Sequence, residues 1–439
     1  MISLLITTGL LVSENLFARA LGDTSDEVAW SMTPTADGGY AVAGMTQSFG
    51  AGDYDILVVK LDSSGDLSWA RTFGGPAYDD AVCVIQTPDR GFVVGGTTYN
   101  SAAGDPDFSN PDLLVLRLDD GGNLSWARSF GGPGDDYFFS LALAPAGGFV
   151  VTGQTFSFGA GSSDMLLMEL DSSGNLSWAR TFGGAGVDLA YSVICTADGG
   201  CALAGITESF GAGDRDFFLV KTDKSGNLSW ARTFGGEGDD AAWSMTQAPD
   251  GGYVLAGRTE SFGAGSYDFL VLKLDKAGTL SWARTFGGEG DETANLVARA
   301  PDGGYAVAGY TQSFGAGSSD MFMLKMDKSG TLSWARTFGW WDHEGASSVA
   351  VTPGRGYVLA GATKSYGAGM SDFLVVKLDK DGNYQDCVEA CSPETGKPTL
   401  QKSSPKPTVT TPGISDSSPK LSVTSPELTI TDACEPVVR

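Results

Sequence analysis

Histidine is all but missing: His343 is the single copy in 439 residues. A serine or cysteine nucleophile would have one base to draw on, and no second His or nearby Cys joins it as a metal ligand. Positive charge is also scarce, with 28 Lys and Arg against 53 Asp and Glu and a formal net charge of −25. A field of that sign repels nucleic acid and anionic lipid, so neither is an expected partner. No apolar run reaches the roughly 18 residues of a membrane helix. The nearest, Ile2 to Val12, is too short, and no basic residue precedes it as in a secretory leader, although Ala18-Arg19-Ala20 resembles a cleavage site. The Gly-x-Ser-x-Gly elbow and the phosphate loop are absent as well.

Glycine, by contrast, is abundant: 62 residues, about twice ordinary usage. Much of it sits in one recurring phrase, Ser-Trp-Ala-Arg-Thr-Phe-Gly-Gly. Its Trp falls at Trp69, Trp126, Trp178, Trp230, Trp282 and Trp334, in steps of 57 and then 52 four times. One step back from Trp69 lies Phe17, in a degenerate seventh copy. Each unit holds four short apolar runs parted by turn signals. In the fifth unit these are 242–247, 253–259, 269–274 and 280–286. Four strands per unit at this period predict a β-propeller. The chain opens on a lone fourth strand (16–21) and closes on a unit lacking one, so pairing the two completes the last blade. The expected fold is therefore all-β, a seven-bladed β-propeller of four-stranded blades closed by the N-terminal strand. Three regions follow: an apolar segment (1–13), the propeller (14–384) and a Ser/Thr/Pro-rich extended tail (385–439).

The phrases Asp-Gly-Gly-Tyr, Ser-Phe-Gly-Ala-Gly and Lys-Leu-Asp-x-x-Gly-Asn-Leu-x-Trp make the unit resemble the secreted β-propeller repeats of bacterial and archaeal surface proteins. That resemblance implies an extracellular propeller and no particular reaction.

If the first strand of each blade lines the channel, the fourth-to-first turns and the Ser-Phe-Gly-Ala-Gly loops share one face, here the top. Several residues recur in all seven units, among them Arg71, Asp79 and Asp55 with their equivalents. A residue used seven times alike reads as a fold device, with acids accepting backbone N–H groups in turns or pairing with the Arg ring. The sharper alternative is calcium, held by the pairs Asp53/Asp55 and Asp214/Asp216. No other cofactor is expected.

Departures from the repeat point to function. Gly339-Trp340-Trp341-Asp342-His343-Glu344 replaces the usual top turn before the seventh blade and offers a platform for sugar rings or a protein; the competing reading is a Trp pair filling a gap. Residues 98–111 carry an insertion in the second blade. Cys195 and Cys201 flank one hairpin turn and predict a disulfide, hence an oxidising compartment. Asn123, Asn175 and Asn227 each begin Asn-Leu-Ser on bottom turns, as N-glycosylation acceptors would.

These features predict a non-catalytic extracellular structural or interaction propeller: a surface or filament subunit whose N-terminal segment and tail add strands to a neighbouring copy. The alternative is a glycan- or protein-binding module using the top face around Trp340 and Trp341. A polysaccharide hydrolase or lyase comes third.

Overall fold

The computed structural model describes residues 16–99, 110–352, 354–367 and 369–384, with seven short strands between 389 and 432. The apolar segment 1–13 and most of the insertion lie outside the described residues. Six blades, spanning 27–74, 79–131, 136–183, 188–235, 240–287 and 292–338, each hold four antiparallel strands in chain order. The seventh has three strands, Glu344–Val351, Tyr357–Thr363 and Asp372–Leu378, and takes Phe17–Gly22 as its fourth, from Phe17 opposite Lys377 to Leu21 opposite Phe373. The ring closes as expected.

Residue type explains each strand. The third strand, such as Asp268–Leu274, is buried throughout, because both of its faces meet neighbouring blades. The second strand keeps a Gly where the backbone of the first comes close: a Cβ on Gly257 would meet the Ala241 carbonyl oxygen at 1.8 Å. The fourth strand alternates, with its Trp flanked by exposed serine and its Arg lying over the Trp face; Arg232 Cζ is 5.3 Å from the Trp230 ring centre. The cores form between blades. In one cluster Ala204 and Leu219 of the fourth blade pack with Tyr253, Leu255 and Leu272 of the fifth.

First strands touch their neighbours around the ring and so line the channel. They begin two residues before the apolar run: in the fifth blade at Asp240 rather than 242. Each carries a bulge, such as the register shift between Ala242 and Ser244, which leaves one residue unpaired with the second strand. In five blades the residue after the bulge is a serine that latches neighbouring blades together, with Cys83 and Leu296 in its place in the other two. Ser31 Oγ accepts the Val84 N–H at 3.1 Å, and Ser348 Oγ accepts the Met32 N–H at 3.3 Å across the closure.

The tail adds its strands to its own ring. Glu389–Ala390, Glu394–Gly396, Gln401–Ser403, Thr408–Thr410, Ser415–Ser417, Ser422–Thr424 and Thr429–Asp432 pair antiparallel with the fourth strands of blades 6, 5, 4, 3, 2, 1 and 7 in that order. Every blade thereby becomes a five-stranded sheet. The physical reason is proximity: seven blades present seven open outer edges, and one chain can cover them at a far higher effective concentration than a neighbour can.

Candidate interaction face

The residues repeated seven times hold the ring together. Asp55 Oδ2 accepts the Ala51 and Gly52 N–H groups at 2.9 and 3.1 Å, and Asp216 Oδ2 does the same for Ala212 and Gly213 at 2.9 and 3.2 Å. Asp53 and Asp214 are exposed while their partners Asp55 and Asp216 are buried, so the Asp-x-Asp pairs point apart. Among the described residues no group of three or more His, Cys, Asp or Glu side chains is placed to hold a metal. The second ring of acids caps the top turns: Asp79 Oδ2 accepts the Gly75 N–H at 2.8 Å, and Asp136 Oδ2 accepts the Ser157 hydroxyl at 2.7 Å. The two acid rings meet between blades. A Cβ on Gly74 would lie 1.9 Å from Asp55 Oδ1 and 3.0 Å from Asp79 Oδ2. Burial, chiefly, pushes Asp79 up to about 6. Burial and the facing Asp136 push Asp112 up to about 6.

The Arg ring does not meet these acids. Arg71 lies over Trp69 and donates to the Ala70 and Gly121 carbonyls at 2.8 and 3.3 Å, tying the fourth strand to the bottom turn of the next blade. Sequence reasoning missed a bottom clamp. Lys60, Arg117, Lys221, Lys273 and Lys325 pair with Asp37, Asp89, Asp198, Asp250 and Asp302 across one hairpin each, at 2.5 to 3.0 Å. A basic residue 23 to 28 positions after the turn acid was the signal available.

The four residues of the Trp-Trp turn are split by the fold. Trp340 packs edge-on to Tyr366, ring centres 4.3 Å apart, and fills the gap between the sixth and seventh blades. Trp341 is 66% exposed. The Asp342 N–H donates to Ser365 Oγ at 3.1 Å, and His343 Nδ1 lies 2.6 Å from Ser319 Oγ. Cys195 and Cys201 stand directly opposite each other as free thiols. Asn123, Asn175 and Asn227 are exposed on bottom turns, each amide donating to the Asp four residues earlier at 2.8 to 3.0 Å.

Superposing the blades exposes what varies. Fourth strands are nearly identical, whereas the first strand and three positions at the top mouth of the channel change from blade to blade. The residue before the first strand runs Asp26, Tyr78, Asp135, Val187, Asp239, Asp291, His343. Its carbonyl accepts the N–H of the residue after the second strand: Tyr99 to Tyr78 at 3.0 Å, Phe156 to Asp135 at 2.9 Å, Glu208 to Val187 at 2.8 Å. The residue before the third strand, Tyr54, Pro111, Ser163, Arg215, Tyr267, Ser319 or Ser371, borders both, as its carbonyl accepts the first N–H of the next blade. The bulge residues project inward below this collar. Three are adjacent aromatics: Phe139 to Tyr191 at 4.8 Å and Tyr191 to Trp243 at 4.1 Å. Of the exposed large apolar side chains, Phe156, Trp341 and Met370 belong to the top loops and Trp30 to the channel.

Asp80, at a variable first-strand position, is half-buried. Burial, offset by the Thr97 N–H at 2.9 Å and the Tyr78 hydroxyl at 3.4 Å, leaves it up at about 6.

No family model matches the chain. The regulatory protein FlaEY of Caulobacter vibrioides is 27% identical over 291 residues, covering 59% of this chain and 28% of that protein. The match therefore spans under a third of the relative's length. Among solved structures, puromycin hydrolase is 15% identical over 81% of this chain and 52% of its own, with a TM-score of 0.48. Sqt1 from Chaetomium thermophilum is 12% identical over 79% and 82%, with a TM-score of 0.42. The WD40 propeller domain of Doa1 is 10% identical over 66% and 93%, with a TM-score of 0.36. The chain's own strand order defines it as a seven-bladed β-propeller.

Proposed function

We propose that this chain is a non-catalytic extracellular interaction module that binds through the top face of a closed, belted ring. One observation carries the reading: seven near-identical units diverge at the collar around the top mouth. A scaffold kept constant with a variable rim is how rigid folds present binding residues. Exposed Trp341, Phe156 and Met370 supply apolar anchors there. The likeness of the repeat phrase to secreted propellers supports an extracellular site. So do the facing thiols of Cys195 and Cys201, which an oxidising compartment would join.

A blocking experiment tests this. Ala160→Cys lies on an exposed top loop and Ser172→Cys on an exposed bottom turn. Each variant, carrying a maleimide polyethylene glycol, is applied to a glycan array and a peptide array. Signals abolished by the Ala160 label and kept with the Ser172 label support the reading; the reverse pattern overturns it.

A further inference from the structure

The top-face collar contains one arrangement twice, once with an arginine and once with Met45, whose Sδ accepts the Tyr78 hydroxyl at 3.3 Å. In the fifth blade Tyr267 and Asp239 hold an arginine of the chain itself. The Arg258 guanidinium lies 4.2 Å from the Tyr267 ring centre and 3.0 Å from Asp239 Oδ2. These residues occupy three repeat positions: before the third strand, before the first strand, and the sixth residue of the second strand. In the first blade the same positions hold Tyr54, Asp26 and Met45. The ring and the acid are retained; the arginine is gone.

The surroundings favour a cation in its place. Tyr54 packs beside Tyr78 with ring centres 5.4 Å apart, and Tyr78 beside Tyr99 at 5.5 Å. Burial, with the charges of Asp26 and Asp53, pushes the Tyr54 hydroxyl up, and Asp53 is exposed. Among the described residues of blades 1 to 3 no lysine or arginine lies at the top mouth; in the neighbouring seventh blade Lys364 does, its backbone N–H donating to the His343 carbonyl at 2.9 Å. The cations of blades 1 to 3 and the closing strand are Arg19, Lys60, Arg71, Arg90, Arg117, Arg128 and Arg180, on third or fourth strands or in bottom turns. In the fourth and fifth blades, by contrast, Arg215 and Arg258 are paired internally with Glu208 and Asp239.

We infer that the first-blade cradle of Tyr54, Asp26 and Asp53, continued by Tyr78 and Tyr99, docks an arginine side chain from a basic segment of a protein partner. The guanidinium lies over an aromatic face and pairs with a carboxylate, the arrangement the fifth blade makes within the chain. This rests on the top-face reading and names the chemistry of its partner.

The test uses the full chain and a hexa-arginine peptide, with binding measured by calorimetry at low and moderate salt. Met45→Arg restores the fifth-blade arrangement and fills the cradle without deleting any residue of it. Binding weakened about tenfold or more by Met45→Arg and by Tyr54→Ala, and unchanged by the bottom-face Asp66→Asn, supports the inference. Equal binding by wild type and Met45→Arg, equal weakening by Asp66→Asn, or no binding at all overturns it. If Met45→Arg does not fold, Tyr54→Ala and Asp53→Asn decide on the same criterion. Failure here, with top-label blocking of array signals intact, removes the arginine partner and leaves the top-face function standing.

Discussion

Trp340 and Trp341 are neighbours in sequence and differ in environment, and stability measurements separate them. Trp340→Ala opens a gap beside Tyr366 and should lower stability by about 1–2 kcal/mol. Trp341→Ala removes a side chain that is 66% exposed and should leave the melting temperature within error. Equal losses in thermal unfolding would contradict this assignment. Cys195 and Cys201 make a second residue-scale case. Their opposed placement beside a tight turn was legible because Gln and Tyr hold the same positions in the fifth blade. Thiol counting after oxidation should show one fewer free thiol than Cys195→Ser; one more than the variant would count against a disulfide. The Arg258 cradle was not legible, since its three members are distant in sequence and become comparable only once blades are superposed.

At the scale of elements, the strands and their closure could be read from the repeat because each apolar run recurs at one spacing and the two ends are complementary. The belt could not. Residues 385–439 read as low complexity, yet prolines recur at Pro398, Pro405, Pro412, Pro419 and Pro426, one in each of the five seven-residue steps from the strand at Glu394 to that at Thr429. Seven extended residues reach roughly 23 Å, enough for one short strand and a step to the next blade. A prediction follows from edge protection. Deleting 385–439 leaves seven outer strands unpaired, and the truncated ring should self-associate in a concentration-dependent way by light scattering. A truncated chain that stays monomeric throughout would show that the belt does not guard those edges. Replacing Leu21, a fully buried residue of the closing strand, with Asp should broaden or split the unfolding transition by opening the seventh blade.

For the whole molecule, the acid rings set the response to pH. Asp79 and Asp112 have folded values of about 6, above the usual carboxylate range. The folded state therefore binds their protons more tightly than the unfolded chain does. Their stabilising contribution is full below about pH 4 and is lost as pH rises through about 6. Acidifying from pH 7 to 5 should raise stability by about 1 kcal/mol for each of the two. Opposing loss waits for lower pH, where Asp198, held near 2 by Thr196 and Lys221, takes up its proton. A melting temperature that falls between pH 7 and 5 would contradict the buried pairing. The central claim, that this ring acts through its top face, is tested most directly by hydroxyl-radical footprinting of the chain in its native setting and after purification. The account predicts that Trp341, Met370 and Phe156 are protected in the native setting while Leu143 at the bottom stays reactive. Top residues as reactive in place as in the purified ring, with protection confined to the bottom turns or the outer edges, would contradict it.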